Sequence, residues 1–287
     1  MERADDRITY ILPVRSRTSQ VASDLTDYLR AIAAEAEVIV VDGSAADVFA
    51  AHALAWQSIV RHVAPDPQLA TPMGKVGGVL TGLRLASHEH VIIADDDVRY
   101  DAGTLRRVAA ALESADVVRP QNYFVPMPWH AAWDTGRALL NRTSGGDWPG
   151  TLAVRRSVLA RTGGYDGRAM FENLELVRTV LAAGGRETVL LDAYVARRPS
   201  TVRHFWSQRV RQAYDELARP QRLAWQHAVL PVTITLAMAA GWIGVAAEAT
   251  IVAGIAEVGR RRAGGARIFP LREIGRASCR ERVLVAV

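Results

Sequence analysis

The sequence predicts an α/β fold: a mostly parallel sheet flanked by helices, followed by helices that meet a membrane. Three observations predict it. Short β-rich runs alternate with helical patterns along the N-terminal part of the chain, an acidic triplet stands directly after an apolar run, and a long uncharged stretch lies near the C-terminus. With 287 residues, 49% apolar and 23% charged, the chain can bury one large domain plus an appendage, and disorder is excluded.

The elements follow in order. Ile8 to Val14 reads as a strand, and Val21 to Ala33 as a helix with Val21, Leu25, Tyr28, Leu29 and Ile32 on one face. Strands over Glu37 to Val41, Ile59 to Val63 and His90 to Ala94 alternate with helices over Asp47 to Trp56 and Gly74 to Ala86. A helix over Ala102 to Leu112 precedes a strand starting at Asp116 to Arg119. Such alternation argues for parallel βαβ units in a doubly wound sheet. Ligands of such sheets bind at the carboxyl ends of strands, which marks the loops carrying Arg15, Asp42 and Asp95 to Asp97. From Gln121 onward, Tyr123, Phe124, Trp129, Trp133 and Trp148 crowd a proline-containing stretch that reads as loops, fit for a cleft wall or an aromatic core. A helix from about Phe171 to Ala183 follows Gly163-Gly164-Tyr165.

The C-terminal part is different. Thr201 to Leu217 places Phe205, Trp206, Val210, Ala213, Tyr214 and Leu217 on one helical face, the profile of a helix lying in a membrane interface. Ala228 to Ala247 carries no charge and is long enough to span a bilayer. Basic residues on both sides conflict with one span, and a hairpin turning near Gly241 to Gly244 resolves the conflict. A buried helical pair in a soluble protein has the same composition. Met1 to Arg7 is charged and Ile8 to Val14 too short for a signal core, so the expected site of the catalytic part is the cytoplasmic face of the cell inner membrane. The net charge is +5, but there is one lysine, Lys75, and the arginines gather around the apolar stretch. That pattern suits an anionic membrane surface rather than nucleic acid.

Residues 273 to 283 read Glu-Ile-Gly-Arg-Ala-Ser-Cys-Arg-Glu-Arg-Val and look like a translated sequencing adapter joined in frame. Residues 273–287 are accordingly set apart as an artefact or truncated end, with the native sequence taken to stop near Arg272. The single cysteine, Cys279, falls inside that segment, so no disulfide, thiolate metal site or cysteine nucleophile is expected.

The chemistry concentrates in few places. Asp95-Asp96-Asp97 leaves the apolar strand Val91-Ile92-Ile93-Ala94. Carboxylates so placed repel one another unless a cation offsets them, and a hard divalent ion such as Mg²⁺ or Mn²⁺ takes such oxygen ligands together with substrate phosphates. Asp42-Gly43-Ser44 closes a neighbouring strand and offers either an acceptor for a nucleobase or ribose or a plain turn. Gly74-Lys75-Val76-Gly77-Gly78 opens a helix whose amides and lysine suit phosphate or a base edge, without forming a Walker A loop.

The order Pro13-Val14-Arg15, Asp42-Gly43-Ser44, Gly74-Lys75 through Gly82 and Asp95-Asp96-Asp97 resembles the nucleotide-sugar half of family 2 glycosyltransferases, which have the Rossmann-like GT-A fold. The likeness runs over roughly residues 8 to 215. It implies donor binding by Pro13, Arg15, Asp42, Lys75, Asp95 and Asp96, with Asp95 and Asp97 as metal ligands. Phe171-Glu172-Asn173-Leu174-Glu175-Leu176 resembles the family's Thr-Glu-Asp-x-x-Leu segment, but Asn173 stands where the catalytic Asp is expected, leaving Glu172 or Glu175 as the base. Gln208-Arg209-Val210-Arg211-Gln212 is similar to the Gln-x-x-Arg-Trp signature of membrane-bound enzymes, with Gln212 in place of Trp, which implies roles for Gln208 and for Arg211 at the diphosphate.

The resulting expectation is an inverting hexosyltransferase that uses a UDP-linked sugar and a lipid or glycan acceptor. Its expected plan is a catalytic domain over 1–200, an interfacial helix over 201–219, one span or a hairpin over 220–259 and a basic cytoplasmic segment over 260–272. A sugar nucleotidyltransferase is the nearest enzymatic alternative, but Pro13-Val14-Arg15-Ser16-Arg17 lacks its glycine-rich loop. A membrane-associated scaffold that has lost catalysis is the other, kept open by Asn173.

Overall fold

The computed structural model describes residues 8–274, except for the side chains of residues 210–213, 215, 222, 225 and 226. Cys279 and residues 275–287 of the adapter-like end lie outside the described residues. Met1–Pro120 with Trp148–Val195 forms one compact unit, and Gln121–Asp147 with Ala196–Val287 a second. The segment 121–147, expected within a continuous catalytic domain, thus clusters with the C-terminal helices.

In the first unit the strands are β1 (Ile8–Val14), β2 (Glu37–Asp42), β3 (Arg61–Val63), β4 (His90–Ala94), β5 (Val98–Arg99) and β7 (Thr151–Arg155). The strands β6 (Val117–Phe124) and β8 (Glu187–Arg197) begin there and run on into the second unit. Among the described residues these eight form a sheet ordered β3-β2-β1-β4-β7-β6-β8-β5. β1 pairs in parallel with β2 and β4, and β2 with β3. β7 pairs antiparallel with both β4 and β6. The parallel half matches the expected βαβ reading; β6 starts at the strand expected from Asp116 to Arg119 but runs on to Phe124, and β7 falls in the stretch read as loops. Short runs such as Thr151–Arg155 carry too little periodicity to declare themselves.

Helices α1 (Ser23–Ile32), α2 (Ala46–Trp56) and α4 (Ala102–Ala110) contribute to one buried cluster with Tyr10, Leu12, Val38, Val40 and Ile92. Helices α3 (Gly74–Leu85), α6 (Arg156–Arg161) and α7 (Glu172–Ala182) contribute to another with Ile11, Ile39, Val41, Val91 and Ile93. Alternate residues of each strand thus serve opposite faces. Each fully buried Ile contributes on the order of 2 kcal/mol.

The glycines of α3 have a packing role. A Cβ at Gly82 would sit 2.5 Å from Ile11 Cγ2, one at Gly78 3.2 Å from Pro13 Cβ, and one at Gly77 2.9 Å from the Leu69 carbonyl oxygen. Their absence lets α3 lie close on β1, which brings Lys75, at the start of α3, to the carboxyl ends of the strands.

The second unit holds α5 (Trp129–Asn141), α8 (Val202–Leu217) and α9 (Pro220–Arg261). The expected single apolar face of α8 is divided. Phe205 is buried, with ring centroids 6.0 Å from Trp129 and 5.5 Å from His130, while Trp206, Tyr214 and Leu217 are exposed. Arg209 is buried rather than solvated, making two bonds to the Asp134 carboxylate at 2.7 and 3.1 Å. α9 breaks at Gly241 (φ 59°, ψ −145°), a conformation only glycine adopts cheaply. The Thr233 hydroxyl lies 2.8 Å from both oxygens of Glu248, although 15 residues of continuous helix would separate them by about 22 Å. The two arms of α9 therefore fold back on each other as a hairpin, turning where the sequence predicts it. At its base the buried Arg142 guanidinium donates to the carbonyls of Gly259 (3.0 Å) and Arg262 (2.6 Å), satisfying helix-end acceptors.

Gly82→Val should lower stability by about 2 kcal/mol or more through overpacking against Ile11, while Gly74→Ala, where a Cβ meets nothing within 4 Å, should be near neutral; thermal unfolding checks both.

Candidate active site

The parallel strands end together, so Val14, Asp42, Val63 and Ala94 line one edge of the sheet. The acidic triplet continues from β4 at that edge. Asp95 and Asp97 are half-buried and Asp96 is exposed. Carboxylate oxygens so gathered are the donor set that Mg²⁺ or Mn²⁺ prefers, so Asp95 and Asp97 suit a divalent ion.

Three of the predicted residues converge. The Lys75 Nζ lies 2.5 Å from Asp95 Oδ1 and 2.6 Å from Glu172 Oε1. Burial alone would lower the Lys75 pKa, but Asp95 and then Glu172 outweigh it and raise it well above the usual lysine range. The ammonium is thus charged at any physiological pH. Glu172 is buried and opens α7, where the helix dipole favours a carboxylate, and Lys75 sits near the opening of α3, where the dipole disfavours a cation. The two carboxylates offset that cost. The segments leading into the two helices are joined where the Met73 N–H donates to the Gly167 carbonyl at 2.8 Å. Between the two candidate bases, Lys75 engages Glu172; Glu175 lies half-buried one turn further on.

Asp42 ends β2 as predicted, but its carboxylate is buried and already engaged. Oδ1 accepts the Ser44 N–H at 2.9 Å, and Oδ2 lies 2.6 Å from His52 Nδ1 and 3.1 Å from His62 Nε2. His52 stacks on Trp56 and His62 on Phe49, at 4.3 and 4.4 Å between ring centroids. These three residues offer ligand atoms within 4.8 Å of one another. The 2.6 Å separation is a hydrogen-bond length, shorter than the about 3.3 Å between two ligands of a tetrahedral ion such as zinc. The group reads as a hydrogen-bonded hub that fixes the turn after β2. Burial raises the Asp42 pKa, but hydrogen bonds from His62, Ser44 and His52 outweigh this and hold it well below the carboxylate range.

The other predicted residues are spread. Pro13 is half-buried, and Arg15 is exposed at the end of β1. Gln208 bonds His204 on its own helix at 2.6 Å, and the side chain of Arg211 lies outside the described residues. Sequence reasoning missed His52, His62 and Tyr165. His52 shares the buried stripe Val48–His52–Trp56, whose four-residue spacing was the available signal. Tyr165 is buried near the lysine: burial raises its phenol pKa and the Lys75 charge pulls it back.

The candidate site thus gathers a lysine and carboxylates at the carboxyl ends of the parallel strands of a mixed α/β sheet. The profile of Glycosyl transferase family 2 matches residues 11–163, and the chain belongs to that family: it is a glycosyltransferase. Among solved structures the fold is similar to that of "Mannosyltransferase PcManGT from Pyrobaculum calidifontis in complex with GDP-Man and Mn2+", at 19% identity and a TM-score of 0.54, over 98% of this chain and 86% of that one. It is also similar to S. aureus TarS 1–349 in complex with UDP-GlcNAc, at 18% identity and a TM-score of 0.50, over 98% and 90%. No curated protein matches the sequence.

Asp42→Asn should destabilise the chain by about 3 kcal/mol at neutral pH, because a buried anion with several donors is lost. The native pKa lies below the unfolded one, so this contribution is full at neutral pH and drains away as the pH falls below about 4. Denaturant melts of both proteins across that range should therefore converge at the acid end.

Proposed function

We propose that the chain transfers a hexose from a nucleotide diphosphate sugar, with inversion, to a lipid or glycan acceptor at a membrane face. The observation that carries this reading is the Lys75 ammonium bound at once to Asp95 of the metal motif and to Glu172. It supports placing the donor diphosphate and the acceptor hydroxyl at one spot. Asp95 and Asp97 would hold Mg²⁺ or Mn²⁺, which when bound neutralises charge on the diphosphate. The turn fixed by Asp42 would cradle the nucleoside of a UDP-linked donor. Glu172 would accept the proton of the acceptor hydroxyl as its oxygen bonds to the anomeric carbon and the bond to the diphosphate breaks. For that step Glu172 exchanges its contact with Lys75 for one with the acceptor, and the ammonium passes to the diphosphate leaving from the same site.

Membrane attachment is proposed from the α9 hairpin. Its apolar residues are largely exposed, Met238 by 83% and Trp242 by 78%, and they flank the turn at Gly241. Its one acidic residue between Ala228 and Ala256, Glu248, is hydrogen-bonded to Thr233 within the hairpin. Arg261, exposed at its base, suits anionic headgroups of a cytoplasmic leaflet, whereas Arg260 is buried and held by Glu257.

Asp97→Ala should abolish Mn²⁺-dependent release of UDP from a nucleotide-sugar panel while leaving the melting temperature within a few degrees. Full activity in that variant would sink the metal assignment. Replacing Met238 and Trp242 together by Ser should weaken flotation with vesicles containing anionic lipid; unchanged flotation would count against the hairpin as the anchor.

A further inference from the structure

Asn173 occupies the position at which a carboxylate base is expected, and an amide cannot take a proton there. Its surroundings give it other work. Nδ2 of Asn173 donates to the carbonyl of Pro149 at 3.2 Å. The next carbonyl along, that of Gly150, accepts the backbone N–H of Asp95 at 2.8 Å. Two consecutive peptide groups therefore join the first turn of α7 to the first residue of the metal motif. The same short segment is gripped at Trp148. The Phe171 ring meets the indole edge-on, with centroids 5.1 Å apart at 70°, and the Arg119 guanidinium lies 4.2 Å from the indole centroid. Arg119 is held in turn by Glu187 at 2.9 Å.

We propose that Asn173 is a positioning residue: through Pro149 and Gly150 its amide sets the backbone of Asp95, and with it the divalent-cation site, relative to Glu172. The proposal rests on the functional reading above. It explains why an amide is required. The Pro149 carbonyl needs a donor, and an ionised Asp at 173 would present acceptor oxygens to it and leave both groups unsatisfied. Restoring the expected carboxylate is therefore harmful rather than beneficial.

The test compares Asn173→Asp, Asn173→Ala and Asn173→Ser with the unmodified chain, with Arg178→Gln, exposed on the same helix, as control. The measurements are kcat for nucleotide-sugar turnover, the Mn²⁺ concentration giving half-maximal rate, and the Mn²⁺ concentration giving half-maximal thermal stabilisation in the presence of UDP. The expected result is a loss of at least tenfold in kcat for Asn173→Asp, with a rise of several-fold in both Mn²⁺ midpoints for every Asn173 variant that retains the native circular dichroism spectrum. Arg178→Gln should move neither. A gain in turnover for Asn173→Asp, or unchanged Mn²⁺ midpoints in the folded variants, would overturn the proposal. If the unmodified chain turns over no nucleotide sugar, the functional reading fails by itself. The thermal midpoints then decide the positioning role, and a chain that Mn²⁺ with UDP does not stabilise overturns it as well.

Discussion

The contact between one ammonium and two carboxylates organises the first unit. Lys75 is the sole lysine among 35 basic residues, and it lies where the entrances of α3 and α7 reach the end of β4. The compact point charge of an ammonium can sit between two carboxylates, whereas a guanidinium would impose its planar fork on them. The contact also sets demands elsewhere. Glu172 is buried, and a buried carboxylate is tolerated only with such a partner. Asp95 can serve a divalent ion and stay bound to Lys75, because a carboxylate has two oxygens and room for several partners.

The surrounding architecture serves that contact. Close approach of α3 to β1 depends on Gly82 and Gly78, which face Ile11 and Pro13. The turn after β2 is held by Asp42, His52 and His62, and the turn before β7 by Asn173, Trp148 and Arg119. Both turns are thereby held by side-chain contacts as well as by burial. That rigidity suits a site whose function depends on holding charges at set distances.

Much of this was legible in the sequence, for identifiable reasons. The βαβ half declared itself because buried parallel strands are continuous apolar runs such as Val91 to Ala94, and the hairpin because glycine and flanking arginines mark its turn and its base. The antiparallel half was legible only at the start of β6. β7 is short, and the rest of β6 and α5 lie in an aromatic stretch whose composition fits loops equally well. Of the candidate site, Asp95, Lys75 and Glu172 were picked out by type and position, and their side chains meet. Asp42 was found too, but its partners His52 and His62 come from α2 and β3, and no local pattern shows that a carboxylate will be enclosed by them. Arg209 stood in the sequence only as part of a helical motif, and the Asp134 that pairs with it lies on another helix. Side-chain partnerships across elements are what a single sequence hides.

The proposed hold of Asp95 and Asp97 on a divalent ion beside the Lys75–Glu172 pair is tested by Mn²⁺ binding followed by electron paramagnetic resonance, with UDP present, in the unmodified chain and in the double variant Asp95→Asn, Asp97→Asn. One Mn²⁺ per chain should bind with UDP, and that binding should be lost in the double variant. Binding that survives in the double variant, or none in the unmodified chain, would contradict it.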